Sequence, residues 1–186
     1  AAIAIPQFAA YRIRGFNSSA LSDVKNTSTN QAAMFADFQS FGISDGAGTI
    51  AAGVTTYSGG AGGAGALVTG PNVLPLINSI TFTDATGALR GVTIGLGNGV
   101  SLVATTEAIA GAPGNTTAAS FTLISKHLNG DTYFGMDSDV ASTYQVPVSG
   151  SAGTVLAAGD EPASTNNADD FNGITGGFAT EAWAIK

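Results

Sequence analysis

The stretch FAAYRIRGFNSSALSDVKNTSTNQAAMFADFQSF, residues 8–41, decides how the rest of the chain folds. It contains no proline and a single glycine, Gly15, before Gly42. Leu21, Val24, Ser28, Gln31, Phe35 and Phe38 recur at alternating steps of three and four, the spacing of one helix face. The spacing predicts a helix over residues 8–41 with that stripe turned inward and Asp23, Asn26, Asn30 and Asp37 turned outward, ended by Gly42 as a left-handed cap. Leu21, Val24, Phe35 and Phe38 are the expected helix-to-sheet core, with about 1.5–3 kcal/mol from burying each phenylalanine. With the apolar run before it, such a helix is roughly 50 Å or more long at 1.5 Å per residue, longer than a head of this size is wide. Part of it must project.

The residues upstream set which end projects. Ala1 to Ala10 carry eight apolar residues, about half of what a bilayer span needs, with no basic residue before them. The run reads as the downstream half of a longer apolar helix. Pro6 lacks an amide hydrogen, so a kink or local unwinding is expected there.

Downstream the pattern changes period. Residues 42–70 hold a dense glycine cluster, expected as a flexible surface connection. Beyond it lie alternating β-branched segments: Ser79–Thr83, Leu89–Leu96, Val100–Thr106, Ser120–His127 and Asp131–Met136. Turn residues Asp84–Gly87, Gly97-Asn98-Gly99 and Leu128-Asn129-Gly130 join them as three hairpins. Val92, Ile94, Leu96, Val100 and Leu102 or Val103 supply an apolar face for the helix. The expected fold is α+β: a long N-terminal helix (1–41) on a head (42–186). The head comprises a glycine-rich loop (42–78), a four- to five-stranded antiparallel sheet (79–136) and an irregular C-terminal segment (137–186) anchored by residues such as Leu156, Phe171 and Trp183.

Composition narrows the function. The chain of 186 residues fits one domain, and only 10% of its residues are charged, against roughly 25% in an average domain. No cysteine is present, which excludes disulfide scaffolds, thiolate metal sites and cysteine nucleophiles. Net charge is −7, but residues 1–26 are basic (Arg12, Arg14 and Lys25 against Asp23) and the remainder stands at −9. A body of that sign repels phosphate backbones, so no specific nucleic acid is expected as a partner.

Chemical motifs are weak. Gly42-Ile43-Ser44-Asp45-Gly46 matches a hydrolase elbow, but a helix precedes it and His127 is the only histidine. Gly60 to Gly65 matches G-x-G-x-x-G without the strand and helix that a dinucleotide site requires. Asn129, Asp131, Asp137 and Asp139 bring oxygens near one hairpin in a spacing unlike an EF-hand; their default role is in turns and caps. Asn17, Asn26 and Asn115 begin N-glycosylation sequons. Phe8, Tyr11, Phe16, Phe35, Phe38 and Phe41 are packing residues by default, with an electron-conducting stack as the sharper alternative. No enzyme, metal or organic cofactor is expected.

Ala1-Ala2-Ile3-Ala4-Ile5-Pro6-Gln7-Phe8, followed by Tyr11-Arg12, Asn17-Ser18 and Ala20, closely resembles the N-terminal helix of bacterial type IVa pilins. The resemblance covers about residues 1–40 and is architectural afterwards. It implies the type IV pilin fold and a mature protein whose first helix half, with its glutamate and methylated N-terminus, is absent from this chain. It also implies anchoring in the inner membrane before assembly, an assembly machinery, and a surface filament of many copies for motility, adhesion or DNA uptake. Ala1, Ile3, Ile5, Pro6, Phe8 and Tyr11 match the family's assembly segment. Many pilins pin the C-terminal segment with a disulfide, which this chain must replace. A pseudopilin of a type II secretion system shares the helix and is the alternative.

Overall fold

The computed structural model describes residues 4–60, 62–84, 86–107, 117–175 and 181–186, with helix side chains from Gln7 onward. Helix α1 runs unbroken over Ala4–Phe38. Pro6 does not interrupt it, because in the first turn its missing amide hydrogen has no intrahelical partner to lose. The helix stops three residues earlier than its pattern suggests. Gln39 takes the left-handed conformation (φ 55°), and its amide donates to the Phe35 carbonyl at 2.8 Å.

Gly42 is therefore not the cap. It lies where the chain enters the sheet, and a Cβ there would fall 2.7 Å from both Ile80 Cγ2 and the Thr81 carbonyl oxygen. Gln31, fully buried on α1, holds this entry with a pair of bonds. Its Nε2 donates to the Gly42 carbonyl at 2.6 Å, and its Oε1 accepts from the Gly42 amide at 2.9 Å.

The head contains two antiparallel sheets where one of four or five strands was expected. The smaller has the order β2-β1-β4-β5, from β1 (Ile43–Ala51), β2 (Val54–Thr56), β4 (Leu76–Thr83) and β5 (Leu89–Thr93). The larger has the order β10-β9-β8-β7-β6-β3. Its strands are β3 (Val68–Thr69), β6 (Val100–Thr106), β7 (Phe121–His127), β8 (Thr132–Asp137), β9 (Thr143–Pro147) and β10 (Ala184–Ile185).

The hairpins expected through residues 84–87 and 128–130 form, as β4–β5 and β7–β8. The third does not. Around Gly97-Asn98-Gly99 the chain leaves the smaller sheet and enters the larger, so β5 and β6 never pair.

The glycine-rich stretch is a second correction. It supplies β1, β2 and β3, and its glycines at 42, 59, 65 and 70 sit where a Cβ would collide with a neighbour. A Cβ on Gly65 would meet the Ala104 carbonyl and the Ser44 hydroxyl. Ser44 ties the two sheets together there: its Oγ donates to the Ala66 carbonyl at 2.6 Å and accepts from the Ala104 amide at 2.9 Å.

Strand alternation builds a core on each face of the larger sheet. Val100, Leu102 and Ala104 of β6, with Leu123 of β7 and Phe134 of β8, meet Ala20, Val24 and Met34 of α1. On the opposite face Val103, Ile124 and Tyr133 meet Tyr144, Val146, Leu156, Phe171 and Trp183. The C-terminal segment thus covers the back of the sheet and also extends it through β9 and β10.

The helix is turned slightly from its expected orientation. Its buried line is Ala20, Val24, Thr27, Gln31 and Met34, with Asp23 also buried. Leu21 and Phe35 flank it, half-buried against the core. Phe38 is 41% exposed, tilted against Phe82 at 5.5 Å with the Arg90 guanidinium 5.6 Å from its ring centroid. The predicted stripe includes Val24 and Gln31, which are buried, but leaves out Ala20, Thr27 and Met34 and turns Asp23 outward, whereas Asp23 is buried on the Gly97 amide.

Three variants measure this arrangement by urea unfolding. Gln31→Leu leaves both polar groups of Gly42 unpartnered and is expected to lose about 2–5 kcal/mol. Phe35→Ala, which removes a ring stacked on Phe41 at 4.4 Å, should cost about 3 kcal/mol. Phe38→Ala should cost about 1 kcal/mol; equal losses for the two phenylalanines would contradict the orientation of α1.

Candidate assembly surface

The N-terminal part of α1 is largely open to solvent. From Gln7 to Gly15 every side chain is exposed except Ile13, which is half-buried. Phe8 is 66% exposed and Tyr11 69%, values out of keeping with aromatic residues on a closed surface. From Ala4 to Gly15 the helix covers roughly 18 Å. Ile5 and Pro6 lie on this stalk, while Ala1 and Ile3 fall outside the described residues. Arg12 and Arg14 are exposed, and their recorded partners are rings: Arg12 lies 5.8 Å from the Phe16 centroid and Arg14 5.9 Å from that of Tyr11. Among the described residues the side-chain ion pair is Arg90–Asp84, far along the chain from the stalk.

The head begins at a collar of polar and stacking contacts. Phe16 stacks on His127 with centroids 4.3 Å apart. Asn17 Nδ2 donates to Asp131 at 2.8 Å and to the Thr132 hydroxyl at 3.1 Å, and Asn17 Oδ1 accepts from the Asp131 amide at 3.2 Å. Six residues higher, Asp23 accepts from the Gly97 amide at 2.7 Å. Burial raises the Asp23 carboxyl above its ordinary range, against the pull of that amide and of His127. Burial lowers His127, whose Nδ1 accepts from the Asn129 amide at 3.0 Å.

Lys126 ties the C-terminal segment to the larger sheet in a chain without cysteine. The side chain is fully buried on the back of β7. Its Nζ donates to three backbone carbonyls: His127 at 3.1 Å, Ser151 at 2.9 Å and Thr154 at 2.7 Å. One ammonium with three donors thereby fastens the C-terminal segment to the sheet. Burial pushes the amine down to about 8, opposed by the charge of Asp131. Strand alternation places Lys126 beside Ile124 on the face away from the helix, and its neighbours gave no sign of this role.

The chemical motifs resolve into structure. Ser44 spends its hydroxyl between Ala66 and Ala104 and is buried, so it has no free nucleophile to present. In the segment 60–65, Gly63 and Gly65 donate to the Thr106 and Thr105 hydroxyls at 2.9 and 3.3 Å. Those amides bind β6 and are not turned to a phosphate.

Asp131 precedes β8 and Asp137 ends it, about 20 Å apart at 3.3 Å per residue. Their carboxylates accept from different groups, and the described residues contain no cluster of three acidic, histidine or cysteine side chains suited to a metal. Asn17 is occupied by Asp131, Asn26 is exposed on the helix, and Asn115 lies outside the described residues. The helix aromatics separate into Phe16 with His127, Phe35–Phe41–Phe121, and Phe38 with Phe82.

Among the described residues no helix is long and apolar enough to cross a membrane. No protein-family model, curated protein or solved structure matches the chain.

The buried carboxyls set the pH response. Asp23, Asp137 and Asp170 all hold their proton more tightly when folded, mainly through burial. The stability they contribute is complete below the unfolded carboxyl range near 3.8 and is lost as pH rises through their folded values. Asp84 has the opposite sign: the Thr86 hydroxyl and Arg90 hold its carboxyl well below the usual range, so its contribution is present above 3.8 and falls away in acid. The urea midpoint gains from these three carboxyls as pH falls toward about 4 and loses through Asp84 below that, while His127, whose imidazole burial lowers, takes stability away as pH falls through its ordinary value of 6.5. Compared with wild type, Asp23→Asn should lose part of the acid-side gain; an unchanged pH profile in this variant would contradict the assignment.

Proposed function

We propose that this chain is the structural subunit of a type IV pilus, polymerising through its N-terminal helix into a surface filament for motility, adhesion or DNA uptake. One observation carries the reading: a helix leaves a head with two closed cores and presents Phe8 and Tyr11 to solvent on a stalk of about 18 Å. An exposed apolar rod of this kind is stable only against lipid or protein. Both environments belong to the proposal. Before assembly the stalk continues an inner-membrane anchor, with Arg12 and Arg14 extending toward headgroups. After assembly, with the help of a pilus machinery, copies of the same chain surround it. A contact between one patch and a different patch of the next copy does not close on itself, and repetition of it makes a fibre.

The head fits the passive half of that task. Several of its buried hydroxyls are spent on backbone groups, as at Ser44, Ser125 and Thr122. The function proposed is mechanical. The type IVa pilin fold, with its helix on an antiparallel sheet, is proposed on the likeness of about residues 1–40 together with this architecture.

Imaging cells that express the full-length protein tests the reading. Long surface filaments that vanish on deletion of the subunit are the expected result. A secretion defect without filaments would favour the pseudopilin alternative and overturn this one. The variant Phe8→Ser/Tyr11→Ser should keep its unfolding free energy within about 0.5 kcal/mol, because neither ring supports the head, yet abolish filaments.

A further inference from the structure

The flank of α1 that faces β8 and β9 is left open along two clefts. The lower, about 350 Å3, lies between Arg14 and Ser18 of the helix and Phe134, Gln145 and Lys186 of the head. The upper, about 440 Å3, opens between Ser28 and Ala32 of the helix and the connection from β8 to β9. Its lining is mostly apolar, with Phe121, Met136 and Val140, and it carries the carboxylates of Asp137 and Asp139. Arg14 and Ala32 stand about five turns apart and so share one side of the helix.

Charge separates the upper cleft from the stalk. Asp169 and Asp170 adjoin the acidic pair, since the Asp170 amide donates to Asp137 at 2.8 Å and the Asn167 amide to Asp139 at 2.9 Å. Among the described residues no lysine or arginine forms an ion pair with any of these four carboxylates. Asp139 is exposed. The stalk has the complementary deficit: Arg12 and Arg14 are exposed cations with rings as their recorded partners, beside two exposed aromatic side chains.

We propose that the upper cleft receives the stalk of a second copy of this chain, with Tyr11 against the apolar lining and Arg14 beside Asp139. The inference rests on the filament reading and specifies its contact. Stalk and cleft occupy different heights on the same helix, roughly 26–32 Å apart for the 17–21 residues between Tyr11 and Ser28 or Ala32. Each copy that docks therefore rises by that order and leaves its own cleft empty for the next, so the contact propagates. The apolar lining accounts for why two aromatic side chains remain exposed in the single chain. The unpaired carboxylates account for why the basic residues cluster at the N-terminal end of an acidic protein.

The absence of cysteine gives a clean background for cross-linking. Filaments sheared from cells expressing full-length Ala10→Cys/Ala141→Cys protein are oxidised and resolved without reductant. The expected result is a ladder of reducible multimers, at least roughly tenfold stronger than from Ala10→Cys/Ala152→Cys, whose second site is an exposed turn on the C-terminal segment. Asp139→Lys should suppress the ladder, and Arg14→Glu added to it should restore it. Filaments that form without the ladder, or with equal cross-linking at Ala152, overturn the docking and leave the filament reading standing. Equally strong dimers from Ala10→Cys alone mean that stalks pack on one another and also overturn it. Absence of filaments from the unmodified protein removes both.

Discussion

The position of everything else follows from how α1 is seated on the larger sheet, and that seating is made by polar side chains meeting backbone groups. Asn17 binds the start of β8, Asp23 takes the amide of Gly97 where the chain changes sheets, and Gln31 takes both polar groups of Gly42. In the reverse direction the Ser125 hydroxyl of β7 donates to the Ala20 carbonyl of the helix at 2.8 Å. Apolar burial alone would press the helix to the sheet but do less to fix its register, since the hydrophobic effect is non-directional. A buried amide or carbonyl without a partner costs about 1–3 kcal/mol, so each clamp converts a loose contact into one register. The clamps occur at three heights, at the collar, the crossover and the exit from the helix. They fix the axis of α1 and hence the direction in which its free end leaves the head.

That division explains what was readable in the amino-acid order. The helix itself was plain, because an uninterrupted run from Phe8 without proline permits little else. Its orientation was not. The stripe through Leu21, Val24, Ser28, Gln31, Phe35 and Phe38 shares Val24 and Gln31 with the buried line, but leans toward the large apolar residues Leu21, Phe35 and Phe38, whereas the buried line adds Ala20, Thr27 and Met34. The three-and-four spacing of Asn17, Ala20, Val24, Thr27, Gln31 and Met34 was present as a signal, but only the structure gives Gln31 the Gly42 backbone to bind. The β4–β5 and β7–β8 hairpins were legible from local turn chemistry. The switch of sheets at Gly97 was not, because a turn that leaves one sheet for another uses the same residues as one that returns.

Glycine misled for a related reason. In residues 42–70 its abundance reads as slack, since glycine loses the most conformational freedom on folding. Here it is required by crowding: at Gly65 the strand passes so near Ala104 and Ser44 that no side chain fits. Sequence supplies the residue but not the neighbour, and the two meanings of glycine differ only in the neighbour. Lys126 illustrates the same limit at a charged residue. Alternation along β7 put it on a buried face, yet only the carbonyls of Ser151 and Thr154, many residues onward, turn that burial from a liability into a fastening.

The head and the stalk therefore obey different constraints. Every element of the head satisfies another, with helix and C-terminal segment covering opposite faces of one sheet, so its stability does not call for a partner. The stalk satisfies nothing: its aromatic residues touch solvent and its arginines lie over rings. Selection for monomer stability would remove Phe8 and Tyr11 or fold them back, because exposed aromatic area on a lone chain only promotes unwanted association. Retaining them on a rigid rod held at a fixed angle makes sense when the surface that covers them comes from outside the chain. The clamps at Asn17, Asp23 and Gln31 then acquire a second consequence. By forbidding the helix to roll, they keep its exposed side and the open clefts of the head in constant relation, so that in the proposed filament each copy would present the same geometry to the next. A polymer with a defined pitch needs that constancy more than it needs strong individual contacts, since an error in angle accumulates with every subunit added.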